Sequence, residues 1–247
     1  MRETRLMMGM PITIEIVGAS DGAAIEAAFA SFDAVDRRFS TYRTDSEIAA
    51  INSGRFLPAD YSAEMREVFA LAEQTRIESG GYFDMRRPTG ALDPSGIVKG
   101  WAILNAARLI AATGARDFFV DAGGDIQSSG VNAKGDPWRV GIRSPFDETA
   151  IIKVVEPRGY GIATSGSYVR GRHIRNPHAP ADPLAEIVSL TVIAADVLEA
   201  DRFATAGFAM GRDGIHFIEQ RPGLEGYAVD RAGRATLTSG FGDFATS

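Results

Sequence analysis

A carboxylate and a hydroxyl lie four residues apart in a stretch with helical periodicity, at Asp201 and Thr205. Residues with this spacing share one face of a helix, so the two side chains present oxygen donors side by side. Mg²⁺ accepts such ligands and usually keeps positions for waters and substrate phosphates. The flanking residues are small and apolar, which predicts a partly buried carboxylate that needs a metal or another partner. An ion pair between Asp201 and an arginine is the alternative, and the spacing does not decide between them.

Polar residues are concentrated in the segment 161–177, between two apolar strand-like runs. The segment contains hydroxyl side chains, a glycine at 166 that lets the backbone approach a ligand closely, and His173. His173 is one of three histidines in the chain. This composition favours a site that grips a polar ligand, and a hairpin with a polar turn is the alternative.

Two further segments are candidates for ligand binding. Ser95–Gly100 places glycines before and inside a predicted helix start, where free N–H groups bind anions, and Lys99 adds a positive charge. An ordinary solvated lysine is the alternative. The D-A-G-G-D segment, 121–125, puts carboxylates at the end of a buried strand, where ligands often bind. Tyr42, in a polar loop, could stack on a flat ring system, although taken alone it favours a structural role.

The composition excludes several classes of protein. The chain has 247 residues, 45% of them hydrophobic and 23% charged, which fits one large soluble domain or two closely packed lobes. A net charge of -6 argues against a nucleic-acid surface, which needs a basic face. Because the chain has no cysteine, disulfides, thiolate zinc sites, iron–sulfur clusters and a cysteine nucleophile are excluded. A bound metal is therefore expected to have oxygen ligands, as magnesium or calcium does.

The chain shows neither a membrane-spanning segment nor a signal peptide. No stretch reaches the roughly 20 apolar residues needed to cross a bilayer. Residues 1–18 lack the apolar core of a signal peptide because Glu3, Arg5, Pro11 and Glu15 interrupt it. We therefore expect a cytoplasmic protein with no membrane partner.

Hydrophobic periodicity predicts the elements that position these groups. The predicted helices are 21–39, 61–79, 97–113 and 196–210, with a short helix after Ser46 that Ser46 could cap. The predicted strands are 10–17, 118–120, 138–142, 151–155, 162–164, 187–194 and two within 226–237. We expect Ser20 or Asp21 to cap the first helix, and Ile77 to lie on the buried face of the second. Hairpin-like strand pairs accompany the interleaved helices, which favours an α+β fold with mixed, mostly antiparallel sheets packed with helices.

Several short motifs, taken in order, make the chain similar to the ApbE-like family of flavin transferases, which are FAD:protein FMN transferases. The matching segments are M-G (8–9), F-S-T-Y-R-T-D-S-E-I (39–48), G-Y-F-D (81–84), D-P-S-G-I-V-K-G-W-A (93–102), D-A-G-G-D-I (121–126), A-T-S-G-S-Y (163–168), H-I-R-N-P (173–177) and A-D-R-F-A-T-A-G-F-A-M-G (200–211). The resemblance covers nearly the whole chain and implies a single domain, 1–247, with a two-lobed fold and a ligand cleft.

The resemblance also implies a reaction and a set of residues. FAD would lie in the cleft with Mg²⁺ at its pyrophosphate, and FMN would be transferred to a Thr or Ser hydroxyl of a target flavoprotein, releasing AMP. Carried over by motif, the metal ligands are Asp201, Thr205 and the backbone oxygen of Gly96. The FAD-binding residues are Met8, Tyr42 (stacked on the isoalloxazine), Phe83, Asp84, Met85, Lys99, Ala163 and Thr164. His173 is the candidate general base for the acceptor hydroxyl.

The chain departs from the family pattern in places. The segment between Phe83 and Asp93 is shorter than in typical members, Asn176 replaces a usual aspartate, and 178–180 replaces the usual R-T-G. The leading hypothesis is a Mg²⁺-dependent flavin transferase. An FAD pyrophosphatase, in which water replaces the protein hydroxyl, and a non-catalytic FAD-binding protein are the alternatives.

Overall fold

The structure is a computed structural model that describes residues 1–19, 21–147, 149–166, 174–179, 184 and 186–246. Its helices are Ala23–Phe39 (α1), Glu47–Asn52 (α2), Ala63–Glu78 (α3), Ser95–Ala112 (α4), Val197–Ala209 (α5) and Gly214–Glu219 (α6). Its strands are Arg2–Met7 (β1), Met10–Ile16 (β2), Phe118–Ala122 (β3), Asp125–Ser129 (β4), Val140–Arg143 (β5), Ile151–Val155 (β6), Gly161–Gly166 (β7), Ile187–Ala194 (β8), Glu225–Asp230 (β9) and Ala235–Leu237 (β10).

One large antiparallel sheet organises the described part of the chain. Its strands follow the order β1-β2-β3-β4-β7-β8-β9-β10, and each neighbouring pair is antiparallel. β5 and β6 form a separate antiparallel ribbon. The predicted α+β fold, with mostly antiparallel sheets packed with helices, is therefore confirmed.

Two helical layers cover different halves of one sheet face. Helices α1 to α4 pack on β2 and β3, where Ile12, Ile14 and Ile16 alternate inward and are almost fully buried. Full burial of such a side chain stabilises the fold by about 1.5–3 kcal/mol relative to leaving it exposed. Helices α5 and α6 pack on β7, β8 and β9. The β5–β6 ribbon covers the other face through a third apolar cluster.

Helix α5 joins the two halves because it contacts α4 as well as β7 and β8. Its composition allows this position, since small residues such as Ala200 and Ala204 are fully buried and let the neighbouring backbones approach. The side chain of Asp196 caps its start by accepting a hydrogen bond from the Glu199 amide at 3.0 Å. Asp201 and Thr205 are therefore held on a rigid helix between two layers.

Some local predictions were wrong. Gly22, without a side-chain cap, occupies the N-cap of α1, although the Asp21 carboxylate accepts a hydrogen bond from the Ala23 amide; Ser20 lies outside the described residues. Ile77 is 65% exposed, because the buried stripe of α3 runs through Met65, Val68, Ala72 and Thr75 and Ile77 faces away from it. The predicted cap of α2 by Ser46 is confirmed. None of the described helices has the length and hydropathy required to span a membrane.

Candidate active site

A cleft opens at one end of the sheet, beside the start of α4. The turn at Gly123–Gly124 and the last residues of β7 lie at this end, because β4 and β7 are antiparallel neighbours. The lining comes from the segment 82–88, the first turns of α4, the β3–β4 turn, the end of β7, the segment 174–177 and one face of α5. Elements far apart in the sequence therefore meet at one polar cavity.

The three predicted metal ligands lie together in this cleft. Asp201 and Thr205 project from the same face of α5, and both line the cavity with Gly96. The Thr205 hydroxyl donates to the Gly96 carbonyl at 3.4 Å and lies 3.5 Å from the Ser165 hydroxyl. A Cβ placed on Gly96 would lie only 3.1 Å from side-chain carbons of Thr205 and Phe83, so glycine permits this approach. A carboxylate, a hydroxyl and a carbonyl thus converge as hard oxygen donors.

Two buried carboxylates share one ammonium group at the base of the cleft. The Nζ atom of Lys99 is in close contact with Asp125 and lies 3.3 Å from Oδ1 of Asp201. The side chains of Asp125 and Asp201 are 2% and 4% exposed. Oδ1 of Asp125 accepts from the Thr164 amide at 3.0 Å, and Oδ2 of Asp201 accepts from the Gly100 amide at 2.8 Å. Both carboxylates are therefore fixed by the backbone of neighbouring elements.

The electrostatics of this cluster favour an additional cation. Burial raises the pKa of the Asp125 carboxyl to about 7, while the Lys99 ammonium acts in the opposite direction. Above pH 7, where Asp125 is ionised, the single Lys99 ammonium faces two carboxylates. The donor set and the excess negative charge together fit Mg²⁺. No group of three or more His, Cys, Asp or Glu side chains suited to a metal occurs in the part of the chain that the structure describes, so this candidate relies on the hydroxyl and carbonyl as well.

Five of the predicted FAD-binding residues line the cleft: Phe83, Asp84, Met85, Lys99 and Thr164. The short segment after Met85 folds back as a tight hairpin, since the Asp93 amide donates to the Met85 carbonyl at 2.8 Å. Asn52 holds this hairpin in place: its side-chain amide donates to the Leu92 carbonyl at 2.9 Å and accepts from the Leu92 amide at 2.8 Å. The shortened connection therefore still brings 83–85 to the cavity.

The other predicted residues are not brought into the lining. Met8 lies in the β1–β2 turn with a φ of 51°, next to the β3–β4 turn at the same end of the sheet. Ala163 is fully buried in the core under α5, and Tyr42 is 96% exposed in the loop after α1. His173 lies outside the described residues. The roles assigned to these four residues, like those of the residues that line the cleft, stay predictions.

Sequence reasoning gave no role to several residues at the site. Asp125 is the most important, and its only signal was its place in the D-A-G-G-D segment. Arg87 pairs with Asp93 at 2.9 Å, and Arg175 lies 3.8 Å from Asp84, so cations line the mouth of the cleft. These pairs join residues that are distant in the chain or lie in loops, and periodicity carries no signal for them.

His178, one of the departures from the family pattern, closes one side of the cleft region. Its ring packs edge-on against Tyr82 with centroids 4.6 Å apart, and its Nε2 lies 3.0 Å from the Gly80 carbonyl. These contacts attach the segment 174–179 to the residues that follow α3. His178 therefore has a packing role here.

Comparisons with known proteins identify the family of the chain. The model of the ApbE family matches residues 8–88 and 85–228. Curated relatives named FAD:protein FMN transferase include one from Escherichia coli (strain K12), 35% identical over 166 residues that make up 64% of this chain and 47% of that protein. One from Salmonella typhimurium is 35% identical over 156 residues, 60% of this chain and 45% of that protein. This chain thus spans about half the length of the curated relatives it matches.

Solved structures show the same fold. The flavin transferase ApbE from Vibrio cholerae has a TM-score of 0.87 and 23% identity, with 99% of this chain and 98% of that chain covered. The ApbE protein from Thermotoga maritima has a TM-score of 0.86 and 21% identity, with 100% and 99% covered. Because the family model matches most of its length, the chain belongs to the ApbE family.

Proposed function

We propose that this chain is a Mg²⁺-dependent FAD:protein FMN transferase, which moves FMN from FAD to a Thr or Ser hydroxyl of an acceptor protein and releases AMP. The observation that carries the proposal is the convergence of Asp201, Thr205 and the Gly96 carbonyl beside Lys99 in one cleft. Membership of the ApbE family and the names of its relatives support the same reaction.

Different residues of the cleft would bind different parts of FAD. Asp201, Thr205 and Gly96 would hold Mg²⁺, which when bound neutralises charge on the pyrophosphate oxygens. Lys99 supplies a positive charge beside them. The amino-terminal end of α4 carries a partial positive charge that also favours phosphate. Phe83 and its neighbours 84–85 offer a partly apolar wall for a ring of the dinucleotide.

The transfer step needs an acceptor hydroxyl in line with the pyrophosphate. Its oxygen forms a bond to the phosphorus of the FMN half while the bond from that phosphorus to the bridging oxygen breaks. AMP leaves with the bridging oxygen and its electron pair. The hydroxyl proton must pass to a base, and His173 is our candidate, since a neutral imidazole accepts a proton near pH 7. Met8, Tyr42 and Ala163 complete the proposed FAD site.

The proposal is tested by measuring AMP release from FAD by the purified chain with Mg²⁺, with and without an acceptor peptide that contains threonine. We expect AMP together with a flavin-labelled peptide only when the acceptor is present. Asp201→Asn is expected to lower the rate by about 100-fold or more, because it removes a charged ligand of the Mg²⁺ that would neutralise the pyrophosphate. Asp121→Asn is the matched control, since Asp121 sits in the same β3–β4 hairpin as Asp125 and does not line the cleft.

The other outcomes separate the alternatives. AMP without an acceptor would identify an FAD pyrophosphatase. Saturable quenching of FAD fluorescence without AMP would identify a binding protein and refute the catalytic proposal. An Asp201→Asn variant as active as the Asp121→Asn control would show that the metal site is placed wrongly.

A further inference from the structure

We propose that Asp125 is a positioning residue that sets the affinity of the site for Mg²⁺ by holding the Lys99 ammonium away from Asp201. This inference rests on the proposed function, because it assumes that Asp201 is a metal ligand. It concerns binding of the metal to the free protein, however, and its test does not require catalysis.

The geometry places one ammonium between two fixed carboxylates. Lys99 is in close contact with Asp125 and lies 3.3 Å from Oδ1 of Asp201. Asp125, the first residue of β4, accepts a hydrogen bond from the Thr164 amide, and Asp201 accepts one from the Gly100 amide. Each carboxylate is thus restrained by a backbone amide of a neighbouring strand or helix. Lys99 has a long, flexible side chain, so its ammonium group can shift between Asp125 and Asp201.

Both carboxylates attract the ammonium, so Lys99 competes with any metal ion for Asp201. The lysine side chain is 16% exposed, and the low dielectric of such a site strengthens each charge interaction. In the structure the shorter contact is with Asp125, and Oδ1 of Asp201 is the more distant of the two partners, at 3.3 Å from the ammonium. Removing the charge of Asp125 should therefore transfer Lys99 to Asp201 and block the metal.

The test is isothermal titration calorimetry of MgCl₂ into the FAD-free full chain at constant pH. We expect Asp125→Asn to weaken Mg²⁺ binding about tenfold, which corresponds to about 1.4 kcal/mol. We expect Lys99→Met to tighten binding by a similar factor, because the competing cation is gone. Asp136→Asn, which changes an exposed carboxylate in the loop after β4 outside the cleft lining, should leave the dissociation constant unchanged.

The double variant separates positioning from a simple loss of negative charge. If Asp125 acts through Lys99, Asp125→Asn should have little effect when combined with Lys99→Met, so the two changes are not additive. An equal weakening in both backgrounds would show that Asp125 acts by its own charge and would overturn the inference. If Asp125→Asn fails to fold, Lys99→Met alone decides: binding no tighter than in the unmodified chain refutes competition by Lys99.

The outcomes are distinguishable from failure of the proposed function. If no AMP forms in the transfer assay but the calorimetric cycle gives the expected result, the metal site is supported and the proposed reaction is refuted. If AMP forms but the effects of the two substitutions on Mg²⁺ binding are additive, the proposed reaction is supported and the role of Asp125 is refuted.

Discussion

Helices α4 and α5 approach each other closely at Gly100, directly beside a proposed metal ligand. A Cβ placed on Gly100 would lie 2.8 Å from Cβ of Asp201, 2.9 Å from the Val197 carbonyl oxygen and 3.0 Å from Cα of Leu198. Carbon atoms in favourable contact are about 3.5–4.0 Å apart, so Gly100→Ala demands a separation of about 0.7 Å or more. Two of the three nearest atoms belong to backbone, so a change of rotamer cannot relieve the clash.

The expected effect of Gly100→Ala on stability is smaller than its effect on function. Overpacking of this kind costs about 1–3 kcal/mol, and replacing glycine by alanine inside a helix returns about 1 kcal/mol. The net loss of unfolding free energy is then about 0–2 kcal/mol. A displacement of about 1 Å at a reacting group costs about 100-fold in rate, so moving Asp201 should lower AMP formation by about that factor.

Urea unfolding and AMP formation from FAD and an acceptor peptide measure the two effects on the same preparation. Gly242→Ala is the matched control, because no atom lies within 4 Å of the Cβ it would add. We expect the control to keep the rate of the unmodified chain. A folded Gly100→Ala variant with an unchanged rate would refute the reasoning, since the close approach of the two helices would then have no part in placing Asp201.

Three other substitutions test separate parts of the fold. Ser46→Ala should lower the free energy of unfolding, measured in urea, by about 1–2 kcal/mol. The Ser46 hydroxyl is fully buried and caps α2 by accepting a hydrogen bond from the Ala49 amide. Its proton is shared between the carbonyls of Ser40 and Arg43. Asn52→Ala should raise KM for FAD with little change in the melting temperature, because it releases the hairpin at Leu92; equal KM values would contradict this role. Burial raises the pKa of the Asp121 carboxyl, so the folded protein binds more protons there than the unfolded chain does. The free energy of unfolding should therefore decrease as the pH rises above about 4. Asp121→Asn should remove this decrease in urea unfolding measured from pH 4 to 8.

The elements with strong periodicity could be predicted from the sequence. Helix α1 buries every third or fourth residue from Ile25 to Phe39, and β2 alternates inward and outward, so the pattern reports which face is covered. Strand β1 gives no such signal, because it is an edge strand with no fully buried residue and depends on pairing with β2. The six-residue helix α6 is too short for a period to be read.

The candidate site was predictable only where its residues share one element. Asp201 and Thr205 lie one helical turn apart, so their common face follows from spacing alone. Lys99, Asp125 and Asp201 come from three elements separated along the chain, and only the completed fold brings them together. Exposure is likewise a property of the fold: the 96% exposure of Tyr42 could not be read from its polar neighbours.

A matching of spacings on α4 and α5 explains why the site forms where it does. Gly96 and Gly100 are four residues apart on α4, and each faces one of two residues four apart on α5: Gly96 faces Thr205, and Gly100 faces Asp201. The order is reversed between the helices, so one turn of α4 runs antiparallel to one turn of α5. The backbone of each glycine forms a hydrogen bond with the side chain that it faces. The Gly96 carbonyl accepts from the Thr205 hydroxyl, and the Gly100 amide donates to the Asp201 carboxylate. Because these two residues have no side chains, the helices can come into contact and the backbone groups of α4 can orient both proposed metal ligands. A Cβ at Gly96 would disturb Thr205, and a Cβ at Gly100 would disturb Asp201.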